Sequence, residues 1–448
     1  MSRYTIALTA LLSTTIPHLT TADPWSYLSV DIPVALSDMA VSTFTYTTTA
    51  GGNNATNAAA DDGEVTQKII LTGGCVSEKG NEFMGEYFAC LELTDKVFSF
   101  EPIAPKTQFQ AWTGTFSTLA PMPRQRCRHG QFQINNNLCV IGGRDASDML
   151  ISQIDCYDPV MDEWMEVGTL PEEYQTSDFA TFVEESSSTV HLIGGFNQVY
   201  EALSQVTLVD VSDLGVGGGG GITYKEGVPI NTPRGDIFAV AMDDDKSTIM
   251  ISGGFTHLNG FSDPLNSVEQ FTFGSQEWGP VDALNEERGD KQLIRLDDKV
   301  YAMGGEGRVD ASGPATEEDV DALAAITLGS VVLDTVEVLD LTAEDGEMEW
   351  VTEGDMPSSL FRFGASAWAA DDGSEEEDGG GVIFVFGGQV GFEAECECFR
   401  TTEKVLVFDP SKSKTLGTLG QEAPSAGVAM SGLVGHVIAV AAIVMMLA

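Results

Sequence analysis

Six pairs of adjacent glycines recur along the chain, each directly after a short apolar run, and they constrain the fold more than any other feature. The closest pairs start 51 residues apart (253 to 304) and the most distant neighbours 83 (304 to 387). The preceding runs are short and rich in β-branched or aromatic residues, which predicts buried strands. The glycines predict strand exits where φ turns positive or a side chain would collide. The pairs are Gly73 and Gly74, Gly142 and Gly143, Gly194 and Gly195, Gly253 and Gly254, Gly304 and Gly305, and Gly387 and Gly388.

A further strand is predicted after each glycine pair, beyond a loop of variable length, and a tryptophan then opens the next strand in four repeats. These tryptophans are Trp112, Trp164, Trp278 and Trp350. Tyr224 takes their place in the third repeat, and the sixth repeat has no tryptophan after Pro410. Trp25 precedes every repeat, so we expect an N-terminal strand to complete the last one.

This order of apolar run, glycine pair, acidic or proline turn and tryptophan resembles the Kelch-repeat family of β-propellers. The resemblance implies an all-β fold, a six-bladed β-propeller with four-stranded antiparallel blades, over residues 23–410. The N-terminal strand would close the last blade. A closed ring of blades buries faces that one blade cannot bury alone, so the tryptophans are expected to pack between blades. The repeats exceed the family period of about 50 residues, and we assign the excess to loops.

Both ends of the chain carry segments that we assign to targeting. Residues 1–22 have the basic and apolar regions of a secretory signal peptide, with cleavage predicted after Ala22. Residues 411–427 form a linker with small residues at 425–427 as candidates for lipid attachment, and residues 428–448 form a hydrophobic tail. This layout favours a glycolipid (GPI) anchor signal, with a tail-end membrane helix as the alternative. We therefore predict the secretory pathway and a membrane-tethered position at the cell surface.

The chain is strongly acidic, with 22 Lys and Arg against 68 Asp and Glu and a formal net charge of −46. This charge argues against nucleic-acid binding, because that affinity depends on neutralising phosphates with Lys and Arg. It argues equally against docking on anionic lipid through a basic patch. Several acidic segments are predicted loops, and one carries an N-glycosylation acceptor at Asn54.

Four arginines share one position of the repeat, at the predicted start of the innermost strand of a blade. The six residues aligned at that position are Ser37, Arg128, Ser177, Arg234, Arg288 and Arg362. The planar Arg fork suits a carboxylate or a phosphate. One hypothesis is therefore a ring of arginines that binds an anion at the mouth of the central channel. The alternative is that each Arg braces its own blade by bonding to carbonyls or to an Asp of the repeat.

Seven cysteines leave at least one without an intramolecular partner. Cys75 and Cys90 share one loop and are the best disulfide candidates. The matching loop of the last blade holds two further candidates, Cys396 and Cys398. A bridge between the two loops is the alternative. Cys139 and Cys156 fall within predicted strands and are interpreted as small buried apolar residues. Cys127 then has no assigned partner.

The long loops after the glycine pairs should gather on one face of the propeller, which we call the loop face. It comprises residues 75–94, 144–150, 196–203, 255–265, 306–333 and 389–402. We predict an extracellular binding module that uses this face for a protein or carbohydrate ligand, an anionic one if the arginines form the mouth. The sequence has no nucleophile elbow, P-loop or HExxH motif, and no cofactor is predicted. The alternative is an enzyme resembling galactose oxidase that acts on a carbohydrate or small oxidisable substrate.

Overall fold

A computed structural model describes most of the predicted propeller. The residues that it describes are 23–48, 64–77, 82–83, 88–90, 92–107, 110–214, 221–256, 263–308, 330–343, 348–369, 380–393 and 398–412. The predicted signal peptide, Asn54, Cys396, the linker beyond residue 412 and the hydrophobic tail lie outside them. Within the described residues, no helix is both long and apolar enough to cross a membrane.

Six four-stranded antiparallel sheets form the six blades, as the sequence predicts. The inner strands are Ala40–Thr48, Gly130–Ile134, Ala180–Glu184, Ala239–Ala241, Gln292–Leu296 and Gly364–Trp368. The second strands are Glu64–Thr72, Asn137–Ile141, Thr189–Ile193, Thr248–Ser252, Lys299–Met303 and Val382–Phe386. The third strands are Val97–Ile103, Gln153–Asp158, Val206–Asp210, Val268–Thr272, Val336–Asp340 and Val405–Phe408. The outer strands are Thr113–Leu119, Glu163–Thr169, Thr223–Glu226, Glu277–Val281, Val351–Thr352 and, for blade six, Trp25–Tyr27.

The inner strands contact their neighbours around a complete circle, with the first blade touching the last. The second and third strands are the most apolar and are largely buried between neighbouring blades. Four short hairpins stand on the loop face, formed by Glu82–Phe83 with Phe88–Ala89, Phe255–Thr256 with Asp263–Pro264, Glu306–Arg308 with Ser330–Val332, and Gln389–Glu393 with Cys398–Thr401. Among the described residues, three short 3₁₀ helices lie outside the sheets, at Glu172–Tyr174, Glu185–Ser187 and Pro410–Lys412.

The N-terminal strand closes the last blade, which confirms the prediction made from Trp25. Residues Trp25–Tyr27 pair antiparallel with Val405–Phe408, and Trp25 lies opposite Phe408. The indole is buried and its ring centroid is 4.9 Å from that of Phe408. Because the outer strand of blade six comes from the start of the chain, both ends of the propeller are held in one sheet.

The glycine pairs let each blade bond closely to the next. Gly194 has a φ of +63°, and a Cβ built on it would lie 2.5 Å from the carbonyl oxygen of Arg234 in the following blade. The next residue, Gly195, donates its backbone N–H to that same oxygen at 2.9 Å. In each of the other five pairs, the second glycine likewise donates its N–H to a backbone carbonyl just before the inner strand of the next blade. A side chain at the first glycine would therefore be strained and would separate the blades.

The tryptophans pack between blades, as the resemblance implies. Trp164 donates its indole N–H to the carbonyl of Ala120 at 2.8 Å, and Ala120 lies in the connection between blades one and two. Trp278 makes the corresponding bond to Val228 at 2.9 Å. Trp350 and Trp112 are also buried, and the Trp112 ring packs edge-on against Phe384 of blade six. Each aromatic ring thus fixes a connection to its neighbouring blade.

Within the part of the chain that the structure describes, two disulfides lie in the first two blades. The bond between Cys75 and Cys90 is present, as predicted. Cys139 and Cys156 form a second disulfide, so the prediction that they are separate buried apolar residues was wrong. Their strands pair in a register that places them directly opposite each other. Adjacent strands bring such a pair within bonding distance although the chain separates it by a loop. Cys127 is free and buried.

Candidate functional site

One residue from each blade lies where the chain turns into its inner strand, and these six residues surround the central axis. All six have a φ between +51° and +58°. Five of them donate the backbone N–H to the carbonyl of the corresponding residue in the preceding blade, over 2.7–3.0 Å. Asp accepts this left-handed conformation more readily than most residues. We call this set the channel ring: Asp38, Arg128, Asp178, Asp236, Asp290 and Arg362.

Arg128 and Arg362 lie in the channel ring, as predicted, and both are paired with carboxylates. Arg128 Nε lies 3.0 Å from Asp38 Oδ1 and 3.6 Å from Asp178 Oδ1. Arg362 Nε lies 2.9 Å from Asp290 Oδ2 and 3.9 Å from Asp38 Oδ1. Their side chains are 8% and 12% exposed. The ring holds four carboxyl groups and two guanidinium groups, so it is not the cationic mouth that the sequence alignment suggested.

Arg234 and Arg288 do not reach the channel, so placing all four arginines around its mouth was wrong. Both are fully buried two residues before the ring position, because the Asp of each Arg-Gly-Asp segment occupies the ring instead. Arg234 Nη2 lies 2.8 Å from Glu269 Oε1, and Arg288 Nη2 lies 2.8 Å from Glu337 Oε1. These two arginines brace their own blades, which is the alternative that the sequence left open.

Arg126 makes a third brace of the same kind, which the sequence alignment missed. It is fully buried, pairs with Asp155 on the third strand and donates to the carbonyl of Gly142 at 3.1 Å. Arg234 and Arg288 likewise donate to the first glycine of their own blades, at 2.9 and 3.0 Å. Each brace therefore ties the turn before the inner strand to the glycine pair and to the third strand.

Ser37 and Ser177 each precede an Asp of the channel ring, and both are fully buried. The Ser37 hydroxyl donates to Asp38 Oδ2 at 2.7 Å. The Ser177 hydroxyl accepts a hydrogen bond from Arg144 Nε at 2.9 Å. Both serines hold charged neighbours in place, and neither presents its hydroxyl to solvent.

The carboxyl groups of the ring have unequal surroundings. Burial alone would raise the pKa of Asp38, but Arg128 and Arg362 outweigh it and hold that pKa below its ordinary value. Burial raises the pKa of Asp236 well above its ordinary value, and the nearby carboxyl groups of Asp290 and Asp178 raise it further. Negative charge is thus neutralised at Asp38 and crowded on the opposite side of the ring.

The loops after the glycine pairs of blades two and three brace each other on the loop face. We call residues 144–150 and 196–203 the platform. The Arg144 guanidinium stacks on the Tyr200 ring at 3.7 Å from its centroid, and the Tyr200 hydroxyl donates to Asp148 Oδ1 at 2.7 Å. Gln198 bonds to the backbone of both Leu150 and Asp148, each at 2.9 Å. These contacts join two neighbouring loops into one ordered surface.

Two large apolar side chains project from the platform into solvent. Met149 is 51% exposed and Val199 is 70% exposed. Each sits beside a residue that cross-links the loops, since Asp148 and Tyr200 bond to each other. Among the described residues, no three His, Cys, Asp or Glu side chains form a group that could hold a metal ion. The described surface therefore offers an apolar contact site on the platform.

The sheet topology and the central axis define this chain as a six-bladed β-propeller, and the comparisons agree. The solved structure of YjhT covers 85% of this chain and 97% of its own, with a TM-score of 0.52 and 11% identity. Residues 125–171, which form blade two, match the family model of the Kelch motif. This match supports the resemblance of the chain to Kelch-repeat proteins.

The curated relatives that match this chain are much longer, and several are named Kelch-like proteins. Kelch-like protein 40 of Mus musculus is 26% identical over 201 residues, which are 44% of this chain and 29% of that protein. Beta-scruin of Limulus polyphemus is 28% identical over 122 residues, which are 24% of this chain and 13% of that protein. The chain thus spans less than a third of each of these relatives. A Kelch propeller is typical of a protein-binding module.

Proposed function

We propose that this chain is a cell-surface protein-binding module whose partner docks on the platform. The observation that carries the proposal is the exposure of Met149 and Val199 on two loops that already hold each other in place. A binding surface that is ordered before contact loses little conformational entropy on association. An apolar centre surrounded by polar residues is also the usual anatomy of a protein interface.

The platform favours a protein over a carbohydrate or a small anion. Arg144, its buried cation, is already engaged by the Asp148 and Asn197 carbonyls and by the Tyr200 ring. Arg128 donates from Nη1 to the Tyr200 hydroxyl at 3.2 Å in addition to its ring carboxylates. Arg144 and Arg128 therefore serve to hold structure, and the large apolar side chains of Met149 and Val199 stay exposed for a partner.

The disulfides support an extracellular position. Disulfides form and persist in oxidising compartments and are rare in the cytosol, and the described residues contain two, Cys75–Cys90 and Cys139–Cys156. The signal-peptide pattern of residues 1–22 and the tail at 428–448 agree with export and tethering. A glycolipid anchor is the form of tether that we propose.

Photo-cross-linking on living cells tests the platform. With the full chain expressed at the cell surface, a photoreactive amino acid at Val199 should yield a discrete cross-linked protein. The substitution Met149→Asp should reduce that product at least tenfold, because it places a charge in the apolar contact. A photoreactive residue at Met165, which is 55% exposed on the outer strand of blade two, is the matched control and should yield no such product. Equal products from positions 199 and 165 would contradict the proposal.

Treatment of the same cells with a phosphatidylinositol-specific phospholipase tests the anchor. A glycolipid-anchored chain should be released into the medium, because the enzyme cuts the lipid and not the protein. The released chain should lack residues 433–448 by mass spectrometry. Retention on the membrane with those residues still present would instead establish a tail-end helix.

A further inference from the structure

The inner strands enclose a cavity of about 710 Å³ on the propeller axis. Its floor is the channel ring, and its walls are the inner strands. Its lining reaches Asp244, Lys246, Arg295 and Asp297, in the turns at the far ends of these strands. Small-molecule sites in proteins commonly have volumes of about 300–1,000 Å³. The cavity is separate from the platform, which lies on the loop face.

The floor is most acidic along three consecutive blades. Asp178, Asp236 and Asp290 follow one another there, whereas Arg128 and Arg362 both flank Asp38 on the other side. Asp178 Oδ2 has no hydrogen-bond partner among the described residues, although the side chain is only 6% exposed. A buried carboxylate oxygen without a donor is costly, so it marks a place that a donor could fill.

The walls are mainly apolar. Phe179, Ile237 and Phe363 line the cavity as buried side chains, and Phe238 lines it with 36% of its surface exposed. His129 Nδ1 has no hydrogen-bond partner among the described residues, but other polar groups of the wall are bonded within the protein. For example, Gln292 Nε2 donates to the carbonyl of Phe363 at 2.5 Å. The apolar part of a ligand could therefore pack against the walls without breaking their hydrogen bonds.

We propose that the cavity binds an organic ammonium ion with an apolar body. The ammonium group would donate to the carboxyl groups of Asp178, Asp236 and Asp290, and the body would lie against Phe238 and the apolar walls. The exposed face of an aromatic ring also attracts a cation. A metal ion fits less well, because the described carboxyl groups do not converge in a metal-binding arrangement. At the far end, Lys246 and Arg295 are paired with Glu185 and Asp244, which reduces their repulsion of a cation.

Binding should be linked to the release of protons. The charged groups around Asp236 are Asp290, Asp178, Arg128 and the buried Lys291. Burial and the neighbouring carboxyl groups of Asp290 and Asp178 raise the pKa of Asp236 well above its ordinary value, whereas a bound ammonium ion favours the ionised form. Burial lowers the pKa of Lys291 to about 7, with Arg288 and Arg234 adding to the effect, so this neighbour loses its charge as the pH rises. Both changes strengthen cation binding at higher pH.

Calorimetry on the full chain with three six-carbon probes tests the site. n-Hexylammonium should bind at least tenfold more tightly than 1-hexanol, and hexanoate should bind more weakly than either. Its affinity should rise from pH 6 to pH 8, with proton release visible as a dependence of the heat on the buffer. Equal affinities for hexylammonium and hexanol would overturn the proposal in favour of an apolar cavity only, and no binding of hexylammonium would overturn it outright.

Asparagine substitutions of the carboxyl groups on the cavity floor provide a second test. Asp236→Asn should weaken hexylammonium binding at least tenfold and reduce its pH dependence to the part that Lys291 contributes. Asparagine accepts the left-handed backbone at this position. Should this variant fail to fold, Asp178→Asn provides the same test. Asp213→Asn, on the exposed surface, should leave the affinity unchanged. Full binding by both floor variants would refute the assignment.

Discussion

Replacing Arg288 with methionine should lower the free energy of unfolding by about 3–5 kcal/mol, because it leaves a buried carboxylate without its cation. Arg288 is fully buried, Glu337 is 1% exposed, and Nη2 of the first lies 2.8 Å from Oε1 of the second. The same guanidinium donates to the carbonyls of Gly304 and Thr335, both at 3.0 Å. Methionine supplies none of these donors, so the turn, the glycine pair and the third strand are uncoupled together.

Urea denaturation of two further variants separates this brace from an ordinary ion pair. Arg295→Met removes an arginine whose partner, Asp244, is 91% exposed, and it should cost less than about 1 kcal/mol. The double variant Arg288→Met with Glu337→Met should regain part of the lost stability, because no buried charge then lacks a partner. If Arg288→Met lowered the free energy of unfolding no more than Arg295→Met, the buried brace would contribute no more to stability than an exposed ion pair.

The brace also leaves a joint pattern of charged residues in the sequence. Three blades carry an Arg two residues before the ring position, and the same three carry an acidic residue at one position of the third strand. The pairs are Arg126 with Asp155, Arg234 with Glu269, and Arg288 with Glu337. In the other three blades those two positions are Leu36 and Phe98, Thr176 and Thr207, and Leu360 and Leu406. This joint occurrence is visible in the sequence and would have indicated buried pairs.

The glycine pairs and tryptophans were predictable because the same local conformation and packing select the same residue type in successive repeats. A positive φ and a close neighbouring carbonyl select glycine at every repeat, so Gly194 can be recognised in the sequence without knowing Arg234. The disulfide between Cys139 and Cys156 depends instead on the register of two strands, which a one-residue shift would destroy. Sequence position alone does not fix that register.

The channel ring and the platform depend on contacts between blades. Asp178 and Asp290 are recognisable as turn residues, but their shared approach to Asp236 follows from ring closure. Likewise, the stacking of Arg144 on Tyr200 joins loops that belong to different repeats. The ring residues recur once in every repeat, but the contacts between them and those within the platform leave no periodic pattern. The sequence therefore predicts the loop face but not the residues that are exposed there.

Trp25→Ala should destabilise the propeller by about 3–5 kcal/mol, the usual cost of deleting a large buried aromatic side chain. The indole packs on Phe408, which in turn lies 5.3 Å from the Tyr301 ring of blade five. Its N–H donates to the carbonyl of Gly354, in the connection between blades five and six, at 3.4 Å. One side chain thus joins the first strand, the last third strand and the preceding blade.

The loss of stability should exceed the cost of a local cavity. In the described chain, the N-terminal strand is the only strand of blade six that comes from the other end of the sequence. Once it detaches, Val405–Phe408 becomes an unpaired edge, and the first and last blades are no longer held by a shared sheet. Hydrogen exchange at the amides of Val405–Phe408 should therefore accelerate in Trp25→Ala well before global unfolding. Tyr27→Ala is the matched control, since Tyr27 lies in the same strand but is 49% exposed. Equal stability and equal exchange in the two variants would mean that the indole does not hold the ring closed.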